Sequence, residues 1–194
     1  LAKLAGIDPG LQIGQDEATG QFVIGVQGPL HLRRIAEKLE LGFGVKVECA
    51  PMQTALRETI RRKIEAHCRH RKQSGGAGQF ADVLIDVAPR PLGSGFAFDE
   101  IVKGGAVPRN YIPAVEAGVR DALDRGPSGF PVVDIAVTLK DGKSHSVDSS
   151  DHAFRTAGKN AVKAALDEAG TVVLQPIMRV RIDVPSILSG GLAP

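Results

Sequence analysis

The sequence feature that most constrains the fold is a glycine-rich turn between two segments of different character. A basic run, Arg69-His70-Arg71-Lys72, leads into it, and valine or isoleucine then recurs at every second position over residues 83–87. The turn itself reads Gln73-Ser74-Gly75-Gly76-Ala77-Gly78-Gln79. Glycines between two such segments predict a β-hairpin. The flanking cations and the scarcity of Cβ atoms also suit close approach to phosphate groups, so a plain turn and a phosphate contact both remain open.

Composition narrows the class of protein. With 43% hydrophobic and 24% charged residues among 194, the chain is typical of a globular protein with one large or two small domains. Its net charge is only +2, so affinity for nucleic acid has to come from local clustering of cations. Aromatic residues make up 4%, and tryptophan is absent, which argues against a base-stacking platform. No apolar run approaches the roughly 20 residues of a membrane span, and the start without Met indicates a fragment.

The two cysteines are weak candidates for metal binding. Cys49 and Cys68 cannot supply a four-thiolate site, and so few cysteines favour a reducing compartment. The short motif His67-Cys68-x-His70 contains metal-ligand types, but adjacent residues of a strand point to opposite faces. We therefore predict no metal site in this chain.

The first part of the chain predicts a small α/β unit. Residues 11–15 and 22–27 read as a hairpin around the turn-forming residues 16–20, and Pro29 opens a helix with Gly42 as its C-terminal cap. Residues 45–49 alternate as a further strand. This order is a split βαβ unit that lacks its first strand.

The second part predicts strands and two helices. We expect a strand in the basic stretch before the glycine turn, a half-buried strand beyond it in which residues 82–87 alternate and which Pro89 ends, a short strand over 93–98 and a β-prone segment over 132–139. Apolar residues at helical spacing predict a helix over 112–123, and Ser149 or Ser150 caps a second helix with a small-residue face that Gly170 ends. Residues 172–174 and 178–184 read as strands.

A second loop, residues 141–148, resembles several catalytic motifs and fits none of them. Gly142-Lys143-Ser144 lacks the earlier glycine of a nucleotide-binding P-loop, since Val137 stands there. In the first loop, Gly76-x-Gly78-x-x-Ala81 matches the spacing of a dinucleotide fingerprint, but it joins strands and does not open a helix. The near-adjacent residues Ser144, His145 and Asp148 cannot readily form a hydrolase triad. We predict no catalytic residue here.

The same loop offers hydrogen-bond donors on a turn. The polar residues that suit RNA phosphate and 2′-hydroxyl groups are Lys143, Ser144, His145 and Ser146. The alternative for His145 is an exposed imidazole with no role.

An ordered series of motifs carries a family resemblance. It comprises Asp16-Glu17-x-Thr19-Gly20, Gly28-x-Leu30-His31-Leu32, Phe43-Gly44-Val45, Arg57-Glu58-Thr59-Ile60, Gln73-Ser74-Gly75-Gly76-x-Gly78-Gln79, Tyr111-Ile112-Pro113-Ala114-Val115, Asp141-Gly142 followed by His145-x-Val147-Asp148-Ser149-Ser150, and Gln175-Pro176-Ile177-Met178. In this order and spacing the chain resembles bacterial translation elongation factor G, from within its third domain, through the fourth, into the start of the fifth.

The resemblance implies an α/β (α+β) fold in three pieces. Residues 1–53 correspond to an incomplete ferredoxin-like domain III, residues 54–176 to domain IV, and residues 177–194 to the first strand and tail of a truncated domain V. In that family domain IV is an elongated two-layer α/β body with an uncommon left-handed βαβ crossover.

The resemblance also implies a function in the cytoplasm. Domain IV enters the decoding region of the small ribosomal subunit, beside the tRNA–mRNA duplex, during GTP-dependent translocation. The implied RNA-contacting residues are Ser74, Gly75, Gly76, Ala77, Gly78 and Gln79 in one loop and Lys143, Ser144, His145 and Ser146 in the other, supported by Arg69, Arg71 and Lys72. The expected partners are small-subunit rRNA and tRNA–mRNA, with no membrane and no DNA. No cofactor is expected in this chain, since GTP and Mg²⁺ belong to the family's G domain; the oligomeric state is left open.

Two departures from the family leave alternatives. Ala77 stands where the family often has a basic residue, and the tail over residues 185–194 diverges, so a divergent paralogue is indicated. A ribosomal protection or recycling factor shares the same domains. A small-molecule phosphotransferase on a similar fold would require a glycine loop at a helix N-terminus, whereas Gly75 to Gly78 join strands.

Overall fold

The computed structural model describes residues 1–17, 19–73, 78–177, 179 and 181, and it divides the chain into two compact units. The first unit is Leu1–Ala55, and the second begins at Leu56. The mixed α/β architecture predicted from the sequence is confirmed in both. The boundaries given above for three domains stay predictions.

The first unit is a hairpin packed against a helix. Its elements are α1 (Ala2–Ala5), β1 (Gln12–Gln15), β2 (Phe22–Gly25) and α2 (Pro29–Phe43). The hairpin is antiparallel, and the turn between its strands is held by Asp16, whose carboxylate accepts hydrogen bonds from the backbone and hydroxyl groups of Thr19. A small core holds the unit together through the buried residues Leu4, Leu11, Ile35 and Leu39.

Two predictions for this unit are wrong. Residues 45–49 alternate in polarity, yet they form no strand, because the sheet that the structure describes here contains only β1 and β2 and offers them no hydrogen-bonded neighbour. Gly42 lies inside α2, and the helix ends instead at Gly44, whose φ of 66° lies in the left-handed region that glycine adopts readily.

The second unit is built on a four-stranded sheet. Its strands are β4 (Ile64–Lys72), β5 (Gln79–Pro89), β6 (Ala97–Glu100) and β7 (Ile135–Lys143), in the order β4-β5-β7-β6. β4, β5 and β7 are antiparallel neighbours, while β6 runs parallel to β7. The glycine-rich turn therefore joins β4 to β5 as a hairpin, as predicted, with Lys72 opposite Gln79.

Two helices cover one face of this sheet. α3 (Ile112–Leu123) follows a 3-10 turn over Arg109–Tyr111, and α4 (Asp151–Ala169) begins at Ser150, whose side chain accepts a hydrogen bond from the N–H of Ala153. The small-residue face of α4 allows close contact, and Phe154, Ala157 and Ala161 are fully buried there. The other face of the sheet is open along β4, where the side chains of His67 and Arg69 are exposed by more than half.

A β-bulge in β7 changes which of its residues face the core, from odd-numbered to even-numbered positions. Ile85 pairs with Leu139 and Leu84 pairs with Asp141, so Lys140 is an extra residue in β7. Before this point Ile135, Val137 and Leu139 face the core. Beyond it Gly142 is buried, while Asp141 and Lys143 are exposed.

Gly142 is needed at this position for space. A Cβ added there lies 2.3 Å from the backbone oxygen of Asp82 and 2.5 Å from Cγ2 of Val107. Both distances are too short for any larger residue without movement of the neighbouring strand.

A separate two-stranded sheet lies at the end of the second unit where β4 begins. It pairs β3 (Arg57–Ile60) with β8 (Thr171–Leu174), and Glu58 also bridges to Val132.

Some strand boundaries differ from the prediction. β7 begins at Ile135, later than residue 132, because buried Asp134 has a φ of 57° and its carboxylate accepts hydrogen bonds from the N–H groups of Gly93 and Gly95. β7 also extends through Lys143, which was predicted to lie in a loop. The short strand expected over 93–98 lies at Ala97–Glu100. The strand over 178–184 falls mostly outside the described residues, and the handedness of the crossover stays a prediction.

Candidate nucleic-acid interface

The second loop contacts the start of β5, directly after the first loop, at one end of the four-stranded sheet. The backbone N–H of Phe80 donates to the carbonyl oxygen of Asp148 at 2.8 Å. The hydroxyl of Ser149 donates to the carbonyl oxygen of Phe80, also at 2.8 Å. These residues are 68 and 69 positions apart in sequence, and their direct contact fixes the 144–150 loop against the start of β5. We call Gly78–Phe80 together with residues 143–149 the tip.

His145 lies in the middle of the tip. Its backbone N–H donates to Oγ of Ser149 at 2.9 Å, and its Nδ1 accepts from the N–H groups of Val147 at 3.4 Å and Asp148 at 3.3 Å. The edge of the ring also lies against Phe80, with 6.2 Å between ring centroids. Accepting at Nδ1 leaves the proton of the neutral imidazole on Nε2. The side chain is 53% exposed, so a positioned donor reaches the surface.

His145 and Asp148 do not form part of a triad. Nδ1 of His145 is 3.3 Å from a carboxylate oxygen of Asp148, but the same atom receives the backbone N–H groups described above. No hydrogen bond joins Ser144 to His145 in the part of the chain that the structure describes. The arrangement orients a donor and lacks an activated nucleophile.

The first loop contributes its last two residues to the described tip. A Cβ added to Gly78 lies 2.5 Å from Oδ1 of Asp148, so any larger residue here requires the carboxylate of Asp148 to move. The side chain of Gln79 hydrogen bonds to Nε2 of His70 at 2.8 Å. The predicted contact residues Ser74, Gly75, Gly76 and Ala77 lie outside the described residues.

The basic run before the turn divides into two kinds of side chain. Nε of Arg69 donates to Oδ2 of Asp82 at 3.0 Å, and its guanidinium lies 5.8 Å from the centroid of the Phe80 ring. Arg71 and Lys72 are exposed and have no side-chain partner among the residues described. Arg69 is therefore held on the open face of the sheet, next to the tip.

Sequence reasoning missed Asp82. Its side chain is only 5% exposed, and its two oxygens bind two different cationic or polar partners: Oδ1 contacts Nε2 of His67 at 2.6 Å, and Oδ2 accepts from Arg69. The pairing of β4 with β5 brings these residues together from 13 and 15 positions away. The alternation of residues 82–87 places Asp82 on the polar side of the strand. Pairing the two strands of the hairpin in register, which sets Arg69 opposite Asp82, would have identified the ion pair from the sequence.

A hollow lies on the open face beside this cluster. It has a volume of about 390 Å³, and its polar lining comes from the side chains of His67, Arg69, Asp82, Asp141 and Lys143. Leu84 and Gly142 complete it.

Neither metal binding nor membrane insertion is supported by the described residues. They contain no group of three or more potential metal ligands, and burial, followed by the charge of Asp82, raises the pKa of the Cys68 thiol, which opposes thiolate formation. No described helix is long and apolar enough to cross a bilayer.

Comparison with known proteins gives the family. A model described as elongation factor G, domain IV matches residues 52–170, and one described as elongation factor G, domain III matches residues 1–51. A crystal structure of a protein from Thermus thermophilus is similar to this chain with a TM-score of 0.77 and 36% sequence identity. That match covers 89% of this chain and 26% of the Thermus chain, so the sequence spans only a minor part of its relative's length. The domain IV match alone covers more than half of the sequence, and the chain therefore belongs to the elongation factor G family.

Proposed function

We propose that the second unit of this chain is an RNA-contacting arm that enters the decoding region of the small ribosomal subunit during GTP-dependent translocation. The observation that carries the proposal is the junction of the two loops, in which Phe80 and Ser149 are joined by a hydrogen bond at one end of a sheet-and-helix body. A projecting end built from two loops can contact RNA while the sheet behind it resists bending.

The chemistry of the tip suits contacts that are independent of base sequence. Lys143, Ser144, His145 and Ser146 offer a cation, hydroxyls and an imidazole N–H, all of which bind phosphate or 2′-hydroxyl groups. Gly78 keeps the junction free of a Cβ, and Gln79 is partly engaged by His70. A factor that acts at every codon requires this kind of backbone recognition. Ser74 to Ala77 remain part of the proposed surface on the basis of their sequence.

In this role the chain contacts RNA and carries out no chemical reaction itself. GTP and Mg²⁺ are proposed for the G domain of the whole protein, and the unit that precedes the arm is proposed to transmit the nucleotide state. The ribosome as partner also implies a cytoplasmic protein.

Directed cleavage of RNA tests the proposal. In a Cys49→Ser/Cys68→Ala background, which removes both free thiols, an iron chelate attached to Ser146→Cys generates hydroxyl radicals at the tip of the chain bound to small ribosomal subunits. We expect cleavage of decoding-region RNA from this position. Asp167→Cys serves as the matched control, because it lies near the far end of α4, about 24 Å along the helix axis from Asp151.

The outcome that contradicts the proposal is equal cleavage of decoding-region RNA from both positions, or cleavage from Asp167→Cys alone. A ribosomal protection or recycling factor is the nearest alternative, since it shares these domains. A translocation assay with the full-length protein separates the two, because only a translocase supports processive peptide synthesis.

A further inference from the structure

A row of charged side chains crosses the open face of the sheet where the tip begins. Arg69 in β4 is opposite Asp82 in β5, and Asp82 is opposite Lys143 in β7. Neighbouring strands lie about 4.8 Å apart, so the two cations flank the carboxylate at the edge of the 390 Å³ hollow.

The carboxylate orients Arg69 without using all its donors. Asp82 binds only Nε, and the Phe80 ring lies beside the guanidinium, so the side chain is fixed at two points. A guanidinium has five N–H donors, and those on the two Nη atoms have no partner among the described residues. Arg69 therefore presents a planar pair of donors above the hollow at little further entropic cost.

Lys143 supplies the second cation. It is exposed at the end of β7 and forms no ion pair with any residue that the structure describes, while the bulge at Lys140 turns it toward the same face as Arg69. The oxygens of Asp82 are occupied by His67 and Arg69. Asp141 also lines the hollow, so two carboxylates there offset the two cations. Among the described residues Lys143 donates to neither carboxylate, and its ammonium group keeps its donors for an external anion.

We propose that this hollow holds one phosphate of the RNA backbone between the Nη groups of Arg69 and the Nζ of Lys143. The contact lies on the open face of the sheet, where Lys143 joins that face to the tip, and it rests on the proposed function because it presumes that the arm binds RNA. Arg69 then contacts RNA directly, and Asp82 is a positioning residue. The guanidinium of Arg69 can donate two parallel hydrogen bonds and the ammonium group of Lys143 can donate another, so the two cations can bind different oxygens of one phosphate group.

Salt-titrated binding of the 194-residue chain to small ribosomal subunits tests this site. We expect Arg69→Gln and Lys143→Gln each to weaken binding about tenfold at low salt, as for loss of one charge-assisted hydrogen bond. Because both side chains hold the same phosphate, we expect the double variant to lose about tenfold as well, whereas independent contacts would give about a hundredfold. Lys143→Gln changes an exposed strand end and keeps the test informative if Arg69→Gln lowers stability.

Lys63→Gln is the matched control for net charge. Lys63 is 62% exposed and lies 2.6 Å from a carboxylate oxygen of Asp86, which pairs in the same sheet, away from the hollow. We expect its affinity to stay within about twofold of the unsubstituted chain. A loss equal to that of Arg69→Gln shows that only net charge matters and overturns the site.

Two further outcomes separate this site from the proposed function. If Ser144→Ala/His145→Ala weakens binding while Arg69→Gln does not, the tip proposal stands and the phosphate site fails. If the unsubstituted chain does not bind at all, both fail. Multiplicative losses in the double variant also overturn a shared phosphate.

Discussion

At each end of the second unit a polar side chain holds a loop against a strand, but the two side chains differ in charge and in burial. At the base, which we define as β3, residues 126–130 and Thr171, the tie is the carboxylate of Glu58, whose residue is fully buried. It accepts hydrogen bonds from the N–H of Phe130 at 2.9 Å and from the hydroxyl of Thr171.

The tip is held together by weaker and more exposed groups. They are the hydroxyl of Ser149, the backbone of Phe80 and the half-exposed ring of His145. Loss of a buried charged acceptor leaves its donors without partners and costs far more than loss of a hydroxyl near solvent. The base therefore contributes more to stability, while the tip leaves its polar groups exposed.

The largest expected effect is at the base. Glu58→Leu removes the acceptor of Phe130 and Thr171, and we expect it to lower the free energy of unfolding by about 2–3 kcal/mol. Glu58→Gln is the conservative control and should lose less, because one oxygen remains to accept a hydrogen bond. Urea denaturation followed by circular dichroism measures both. Equal stability of Glu58→Leu and the unsubstituted chain would remove the contrast between the ends.

A matched pair of glycine substitutions sharpens the comparison. A Cβ at Gly126 lies 2.6 Å from Cγ2 of Val132 and 2.9 Å from Cδ of Glu58, whereas a Cβ at Gly78 meets the carboxylate of Asp148. We expect Gly126→Ala to cost about 2 kcal/mol, because the base is closely packed, and Gly78→Ala about 1 kcal/mol, because the partly exposed side chain of Asp148 can rotate away. The same denaturation curves test this order, and a reversal would contradict it.

Acidic pH should weaken the base. Burial on its own raises the pKa of Glu58, but hydrogen bonds from Thr171, Phe130 and Ser128 outweigh it and hold the pKa below its ordinary value. The stabilisation is therefore complete above the ordinary glutamate pKa of about 4.3 and is lost as the pH falls through the lower pKa of the folded state. We expect the stability difference between the unsubstituted chain and Glu58→Gln to shrink below that pH. A difference that grows in acid would show the opposite sign of coupling.

The smallest effect on stability is expected at the tip. His145→Ala removes an exposed ring and should change the free energy of unfolding by no more than about 0.5 kcal/mol. Under the proposed function it weakens binding to small ribosomal subunits. Thermal unfolding and equilibrium binding of the same sample give both quantities, and a large loss of stability would show that His145 has a structural role.

Local patterns were sufficient where the deciding contacts were local. Ser150 caps α4 three residues from its partner, and the apolar spacing of α3 marks the face that is buried. The alternating residues 45–49 were misassigned because a strand depends on a neighbour that the segment itself does not contain.

The candidate site was less accessible to sequence reasoning. Glu58 receives its hydrogen bonds from residues 72 and 113 positions away, and Arg69 meets Asp82 only in the register of two strands. Such contacts are set by the assembled sheet. The family resemblance was sufficient to predict which two loops form the tip. The hydrogen bond from Ser149 to Phe80 is evident only in the folded structure.

The extra residue in β7 determines which side chains at the end of this strand lie on the open face of the sheet. If Lys140 paired regularly opposite Leu84, each later residue would move along by one position, so Lys143 would turn inward and Gly142 outward. The bulge instead keeps Gly142 in the narrow space beside Val107 and Lys143 beside the hollow. Deletion of Lys140 should therefore leave both orientations unchanged, whereas closing the bulge with Lys140 in place would remove a cation from the hollow without changing any residue that lines it.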